Sequence, residues 1–194
     1  MKVLIACEYS GRVREAFRAL GHDAWSCDLL PSEDDSKYHY IGDVFDIMDN
    51  NWDLMIAHPP CTYLAVSGMH WTTRGFRDPK LTEDALEFVQ MLMDAPVEKI
   101  CIENPVSVIS SRIRKPDQIV QPWHFGEDAS KKTCLWLKNL PLLVASNPLP
   151  GNDKTRRANQ TASGQNKLAP SADRWKERSR TYLGIANAMA SQWG

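Results

Sequence analysis

Lys2 to Cys7 is an unbroken β-type run, after which Val13, Ala16, Phe17 and Leu20 recur at helical spacing until Gly21 stops them. The pattern predicts strand, turn, helix. Short apolar stretches then follow at Asp23–Asp28, Tyr38–Ile41 and Leu54–Ala57, the last running into His58-Pro59-Pro60. Leu81, Ala85, Phe88, Val89, Leu92 and Met93 mark an amphipathic helix with Glu83 and Asp84 in its first turn, where the helix dipole favours acids. Lys99–Glu103 and Thr133–Leu137 predict further strands, and Leu142–Ala145 a seventh. Strands alternating with helices in this way predict βαβ units in a doubly wound, mostly parallel α/β sheet.

Beyond Ala145 the pattern changes. Residues 1–146 form the expected core, residues 147–180 a loop segment rich in Gly, Asn, Ser, Pro and Lys/Arg, and residues 181–194 a helix that returns to the core through Tyr182, Ile185, Ala186, Met189, Ala190 and Trp193. Gly151 to Arg180 holds eight basic and three acidic residues, a local +5 in a chain whose net charge is −1. A nucleic-acid partner therefore has to be held by a local surface rather than by bulk charge.

Five cysteines, Cys7, Cys27, Cys61, Cys101 and Cys134, stand singly and fit neither a disulfide framework nor zinc-ligand spacing. The histidines, too, show no ligand spacing, so no metal is expected. No run approaches the ~18 apolar residues of a membrane span. A cytoplasmic protein without a membrane partner is the expectation.

Ligands of a doubly wound sheet bind beyond the carboxyl ends of its strands, and the chemistry-bearing residues fall there repeatedly. Cys7-Glu8-Tyr9-Ser10-Gly11 follows the first strand, Asp28 the second, Asp43 the third, Cys61 the fourth and Glu103 the fifth. The sharpest signal is His58-Pro59-Pro60-Cys61. Two prolines stiffen the exit from a buried strand and present the thiol at the sheet edge, where it is a candidate nucleophile. Glu103-Asn104-Pro105 ends the next strand and aims a carboxyl at the same edge.

With these motifs in this order, the chain resembles the cytosine-5 DNA methyltransferases, S-adenosylmethionine-dependent enzymes of the Rossmann-like class I methyltransferase fold. Pro59-Pro60-Cys61 with trailing Gly68 matches the family's nucleophile loop, Glu103-Asn104 its glutamate-asparagine motif, and Asn187 the asparagine of its closing helix. The resemblance implies methyl transfer to cytosine carbon 5 through a covalent Cys61 adduct, with Glu103 hydrogen-bonded to the ring. It implies cofactor contacts from Cys7, Glu8, Tyr9, Ser10, Gly11, Asp28, Asp43, Pro59 and Asn187. Substrate contacts would come from Pro60, Asn104, Lys131, Lys132, Arg156 and Arg157, to a base extruded from DNA.

The departures narrow the picture. The first loop keeps one glycine of the usual three, Thr62 and Ala65 replace glutamine and serine, and Lys131 and Thr133 stand for two arginines. Lysine is a point charge and cannot copy a bidentate fork. The family's target-recognition domain is replaced by the short basic segment, which is compatible with relaxed specificity, a homodimer or a partner subunit. RNA or a free pyrimidine nucleotide is the alternative substrate, and a non-catalytic binding protein the alternative class.

Overall fold

The computed structural model describes residues 1–194. Its centre is a seven-stranded sheet built from β1 (Lys2–Ala6), β2 (Asp23–Asp28), β3 (His39–Ile41), β4 (Leu54–Ala57), β5 (Lys99–Pro105), β6 (Gln118–Val120) and β7 (Thr133–Lys138). The spatial order is β3-β2-β1-β4-β5-β7-β6. The first five strands are parallel, β7 runs antiparallel to β5, and β6 antiparallel to β7. This is the doubly wound, mostly parallel α/β fold of the Rossmann-like class I type, in one domain. The strand order reverses between β1 and β4, which opens a crevice at their carboxyl ends.

Side chains alternate across the pleat, so each face of the sheet collects its own core. On one face Leu4, Met55, Ile100 and Ile102 pack with Leu86, Val89 and Leu92 of α3 (Lys80–Met93). On the other, Val3, Ile5, Leu54 and Ile56 pack with Val13 and Phe17 of α1 (Arg12–Ala19) and with Ile185, Met189 and Trp193 of the final helix, Leu183–Trp193. Three shorter helices complete the chain: α2 (Met69–Thr73), α4 (Ile109–Arg112) and α5 (Arg174–Ser179), which makes the final helix α6. None is long and apolar enough to cross a membrane.

Two expectations change. The seventh strand is Gln118–Val120, not Leu142–Ala145. Pro141 cannot donate to a ladder, and side-chain amides take over the backbone pairing that follows it. Gln118 accepts from the Leu143 N–H and donates to its carbonyl, both at 2.8 Å, while Gln192 does the same for Val144 at 2.8 and 2.9 Å. Only Leu143 of that apolar run is buried; Val144 is 71% exposed. The basic segment, in turn, is more than a loop. It contains α5 and is tied to the core through Asn159, whose side chain bonds both the N–H and the carbonyl of Ser130 at 2.9 and 3.0 Å.

Candidate active site

The β4 and β5 ends bring Cys61, His58 and Glu103 together. The β1–β4 ladder continues one residue past β4, with the His58 N–H donating to the Ala6 carbonyl at 2.9 Å. Because Ala57 is registered with Ile102, the next residues, His58 and Glu103, meet across the two strand ends. The His58 Nδ1 lies 3.2 Å from Glu103 Oε2, and each side chain is 9% exposed. Pro59 is buried, and its carbonyl accepts from the Asn104 amide at 2.8 Å. That bond pins the rigid turn to β5.

Cys61 then turns outward. Its carbonyl accepts from the Leu64 and Ala65 N–H groups at 3.1 and 2.9 Å, a tight turn that leaves the residue exposed. The far side of the turn is stapled to the chain beyond β5 by Val66 N–H to Val106 carbonyl and Val108 N–H to Leu64 carbonyl, at 3.1 and 2.9 Å. Of the five cysteines, only Cys61 is exposed.

The electrostatics of the pair are opposed. The walls around the Cys61 thiol desolvate it and the Glu103 charge repels a thiolate; together these push its pKa up against the pull of Lys131 and Arg178. Burial also pushes the Glu103 carboxyl up, but the hydrogen bond from His58, the Lys131 and His58 charges and the Thr133 hydroxyl outweigh it and hold the carboxyl below its usual range. The resting site is therefore a thiol beside a carboxylate.

The β1–β3 ends gather the cofactor candidates, but unequally. Gly11 has φ +70°, and a Cβ there would meet the Arg14 guanidinium and lie 2.9 Å from the Asp34 carboxylate. Glu8, instead of facing outward, accepts from the Val13 and Arg14 N–H groups at 2.8 and 3.2 Å and so caps α1. Ser10 donates to that same carboxylate at 3.3 Å. Tyr9 is buried beneath α5: its hydroxyl donates to the Lys176 carbonyl at 2.8 Å, Ser179 Oγ is 2.9 Å away, and its ring lies 6.0 Å from that of Trp175. Cys7, at φ 58°, is pushed up strongly by burial and by the Asp28, Cys27 and Asp43 charges. Asp28 is half-buried and Asp43 exposed, and each gives one oxygen to a local N–H, of Leu30 at 3.0 Å and of Phe45 at 3.1 Å, with its second oxygen free.

Several candidates fall elsewhere. Asn187 is exposed in a groove with Ala16, Ala19 and Leu20, at the end of α1 opposite Gly11. A small-residue contact between α1 and α6 carries it away from the rim. Asn104 is buried behind Pro59, and its amide N–H is spent on the Pro59 carbonyl. Arg157 is 5% exposed, stacked 4.7 Å over Trp123 and 3.7 Å from Asp128. It is part of the fold. Pro60 and Arg156 are exposed, Lys132 is paired with Asp153 at 3.2 Å, and half-buried Lys131 reaches the Arg180 carbonyl at 3.4 Å while its charge acts on Cys61 and Glu103. His58 is the residue that the motifs leave out. Its signal is positional: one residue past β4, it faces the acid one residue past the β5 partner of Ala57.

No family model matches the chain, and no curated protein does. Among solved structures, the chain is similar to a prophage-encoded protein of E. coli assigned as a DNA modification methyltransferase, at 13% identity and a TM-score of 0.44. The match covers 70% of this chain, which spans 45% of the length of that protein.

Proposed function

We propose that the chain is an S-adenosylmethionine-dependent DNA methyltransferase that modifies carbon 5 of cytosine through Cys61. The observation that carries this reading is the exposed thiol held at the rim of β4 by Pro59-Pro60, beside the buried Glu103 carboxyl at the rim of β5. Carbon 5 is a poor nucleophile until carbon 6 is attacked, and a thiolate is the side chain suited to that addition. Glu103 would hydrogen-bond nitrogen 3 and the exocyclic amine, and Lys131 would offset charge building on the ring.

The crevice fits the methyl donor in part of its lining. Free carboxylate oxygens of Asp28 and Asp43 suit ribose hydroxyls and an adenine amine, whereas the space beside Gly11 is filled by the Arg14 guanidinium and the Asp34 carboxylate. When bound, the donor supplies an electrophilic sulfonium methyl group. Glu8 and Ser10 shape the loop from behind, and Tyr9 contributes only if α5 shifts. The exposed cations of the basic segment would bind DNA phosphates and position the duplex.

Incubation with duplex DNA and a methyl-labelled donor, followed by nucleoside analysis, tests the assignment. The expected product is 5-methyldeoxycytidine, with a covalent complex trapped by duplex carrying 5-fluorocytosine. Label appearing in another base, or no trapped complex with an active preparation, overturns it.

A further inference from the structure

His58 has no part in the motifs that suggest the reaction, yet it is the closest partner of the carboxyl that serves it. Its Nδ1 lies 3.2 Å from Glu103 Oε2, and its Nε2 is buried with no hydrogen-bond partner. A buried imidazole with one nitrogen engaged and the other idle is costly to keep for packing alone. We propose that His58 is a positioning residue of the active site: it holds the Glu103 carboxyl in place through Nδ1 and shares with it the proton that Glu103 gives to ring nitrogen 3. The inference rests on the cytosine reading above.

The need for such a partner follows from the electrostatics. Protonation at nitrogen 3 relieves the charge that builds as Cys61 adds to carbon 6, so the site has to hold a proton next to that nitrogen. Glu103 alone is poorly suited, because its surroundings keep it ionised. A protonated imidazole in contact with the carboxylate gives the couple one proton to release. The Cys61 thiol first gives its proton to water; as the sulfur–carbon 6 bond forms, the carbon 5–carbon 6 π pair shifts to carbon 4–carbon 5, and the carbon 4–nitrogen 3 π pair becomes a lone pair on nitrogen 3. That nitrogen takes the couple's proton, leaving neutral imidazole and carboxylate. Once the carbon 4–carbon 5 pair has bonded to the methyl group and the donor has left as a neutral thioether, carbon 5 loses its proton to water, the C–H pair restores the carbon 5–carbon 6 double bond, and the sulfur–carbon 6 pair returns to Cys61 as thiolate. Nitrogen 3 then returns its proton to the couple. The charged groups that act on His58 come from two neighbouring strands, Glu103 on β5 and Asp28 at the end of β2, while Lys131 and Cys61 face Glu103 from the other side.

His58→Asn tests the idea, because its amide N–H can occupy the place of Nδ1 without carrying a second proton. Expected are an unchanged melting temperature, DNA affinity and KM within about twofold, and kcat lowered about 100-fold at neutral pH, the usual scale of acid–base assistance. The proposal expects wild-type kcat to decline toward alkaline pH and this decline to vanish in the variant. Wild-type kcat and an unchanged pH profile in His58→Asn would overturn the proposal while leaving the cytosine reading intact. Should the variant not fold, nitrogen-15 spectra of wild-type histidines in the complex with DNA and the demethylated donor decide it: both ring nitrogens of His58 protonated near neutral pH supports the couple, and a neutral ring at every pH from about 5 to 8 refutes it. Failure of the wild type to methylate cytosine or to trap 5-fluorocytosine would instead sink the cytosine reading, and the same nitrogen signals would still report whether the two side chains share a proton.

Discussion

The two halves of the rim are built differently. At the β4–β5 end the chemistry-bearing groups are incompletely satisfied: the thiol is exposed, and the His58 Nε2 and Asn104 Oδ1 atoms are buried without partners. At the β1–β2 end nearly every group is occupied. Glu8 caps α1, and Arg14 is fully buried against Ser26, Ser32, Glu15 and Asp34. Tyr9 is bonded beneath α5, and Arg180 clamps Glu33 through two nitrogens at 2.7 and 3.0 Å. Unsatisfied polar atoms are costly in a folded protein, so where they cluster the structure is poised for a ligand. On the cytosine reading, the β4–β5 half is the one built for chemistry. The β1–β2 half holds the fold together and ties the basic segment to the loop on which a cofactor would rest.

Reciprocal variants sharpen that contrast. Cys61→Ala should reduce methyl transfer and 5-fluorocytosine trapping to background. Its urea midpoint should stay near wild type, since exposed substitutions move stability by about 0.5 kcal/mol or less. Arg14→Met should do the opposite. It removes a fully buried guanidinium from hydrogen bonds to Ser26, Glu15 and Asp34, and its expected cost is about 2 kcal/mol in urea unfolding, the scale of hydrogen bonds to a charged group, since both acids stay in contact with water. A Cys61→Ala protein as unstable as Arg14→Met would erase the division of labour between the two halves.

A smaller effect separates structural from free cations in the basic segment. Arg156, Arg174 and Arg178 make no ion pair, whereas Arg157, Lys176 and Arg180 are each paired with an acid. Neutralising the first three together should weaken DNA binding and flatten the dependence of log affinity on log salt by about 2 to 3, near 0.9 for each phosphate no longer neutralised. Arg157→Met should instead lower the melting temperature and leave the salt slope unchanged. If the triple variant keeps the wild-type slope, the segment serves the fold and not the nucleic acid.

How much of the molecule is legible in its sequence depends on whether the deciding interaction is local. β1, β2, β4, β5, α1, α3 and α6 declare themselves through periodicity, because each buries its own apolar side chains. The outward turn at Cys61 is legible too, since two consecutive prolines restrict the chain wherever they stand. Leu142–Ala145 misleads because its backbone is satisfied by amides of Gln118 and Gln192, far away in sequence, and β6 is invisible because three residues carry no period. Arg157 reads as a surface cation until Trp123 and Asp128 close over it. Asn187 matches a motif, but helix packing sets its direction. The His58–Glu103 pairing needs the β4–β5 register, which neither motif contains.

The least disruptive probe of the rim is the thiol itself. Cys61 should be the one cysteine that a small neutral alkylating agent modifies in the native protein, because Cys27, Cys101 and Cys134 are buried and burial pushes the Cys7 thiol far up. Only thiolate reacts, and desolvation followed by the Glu103 charge raises the Cys61 pKa. Labelling at neutral pH should therefore be slower than for an unperturbed thiol and should climb with pH beyond the ordinary thiol range. Glu103→Gln removes a raising influence, so the thiolate fraction at neutral pH increases and labelling should speed up severalfold. Lys131→Met removes a lowering influence and should slow it. Both variants should converge on the wild-type rate at high pH, where every Cys61 is ionised. Equal labelling rates in all three proteins at neutral pH would mean that neither charge reaches the sulfur, and the β4–β5 rim would lose the electrostatic coupling that sets it apart from the β1–β2 half.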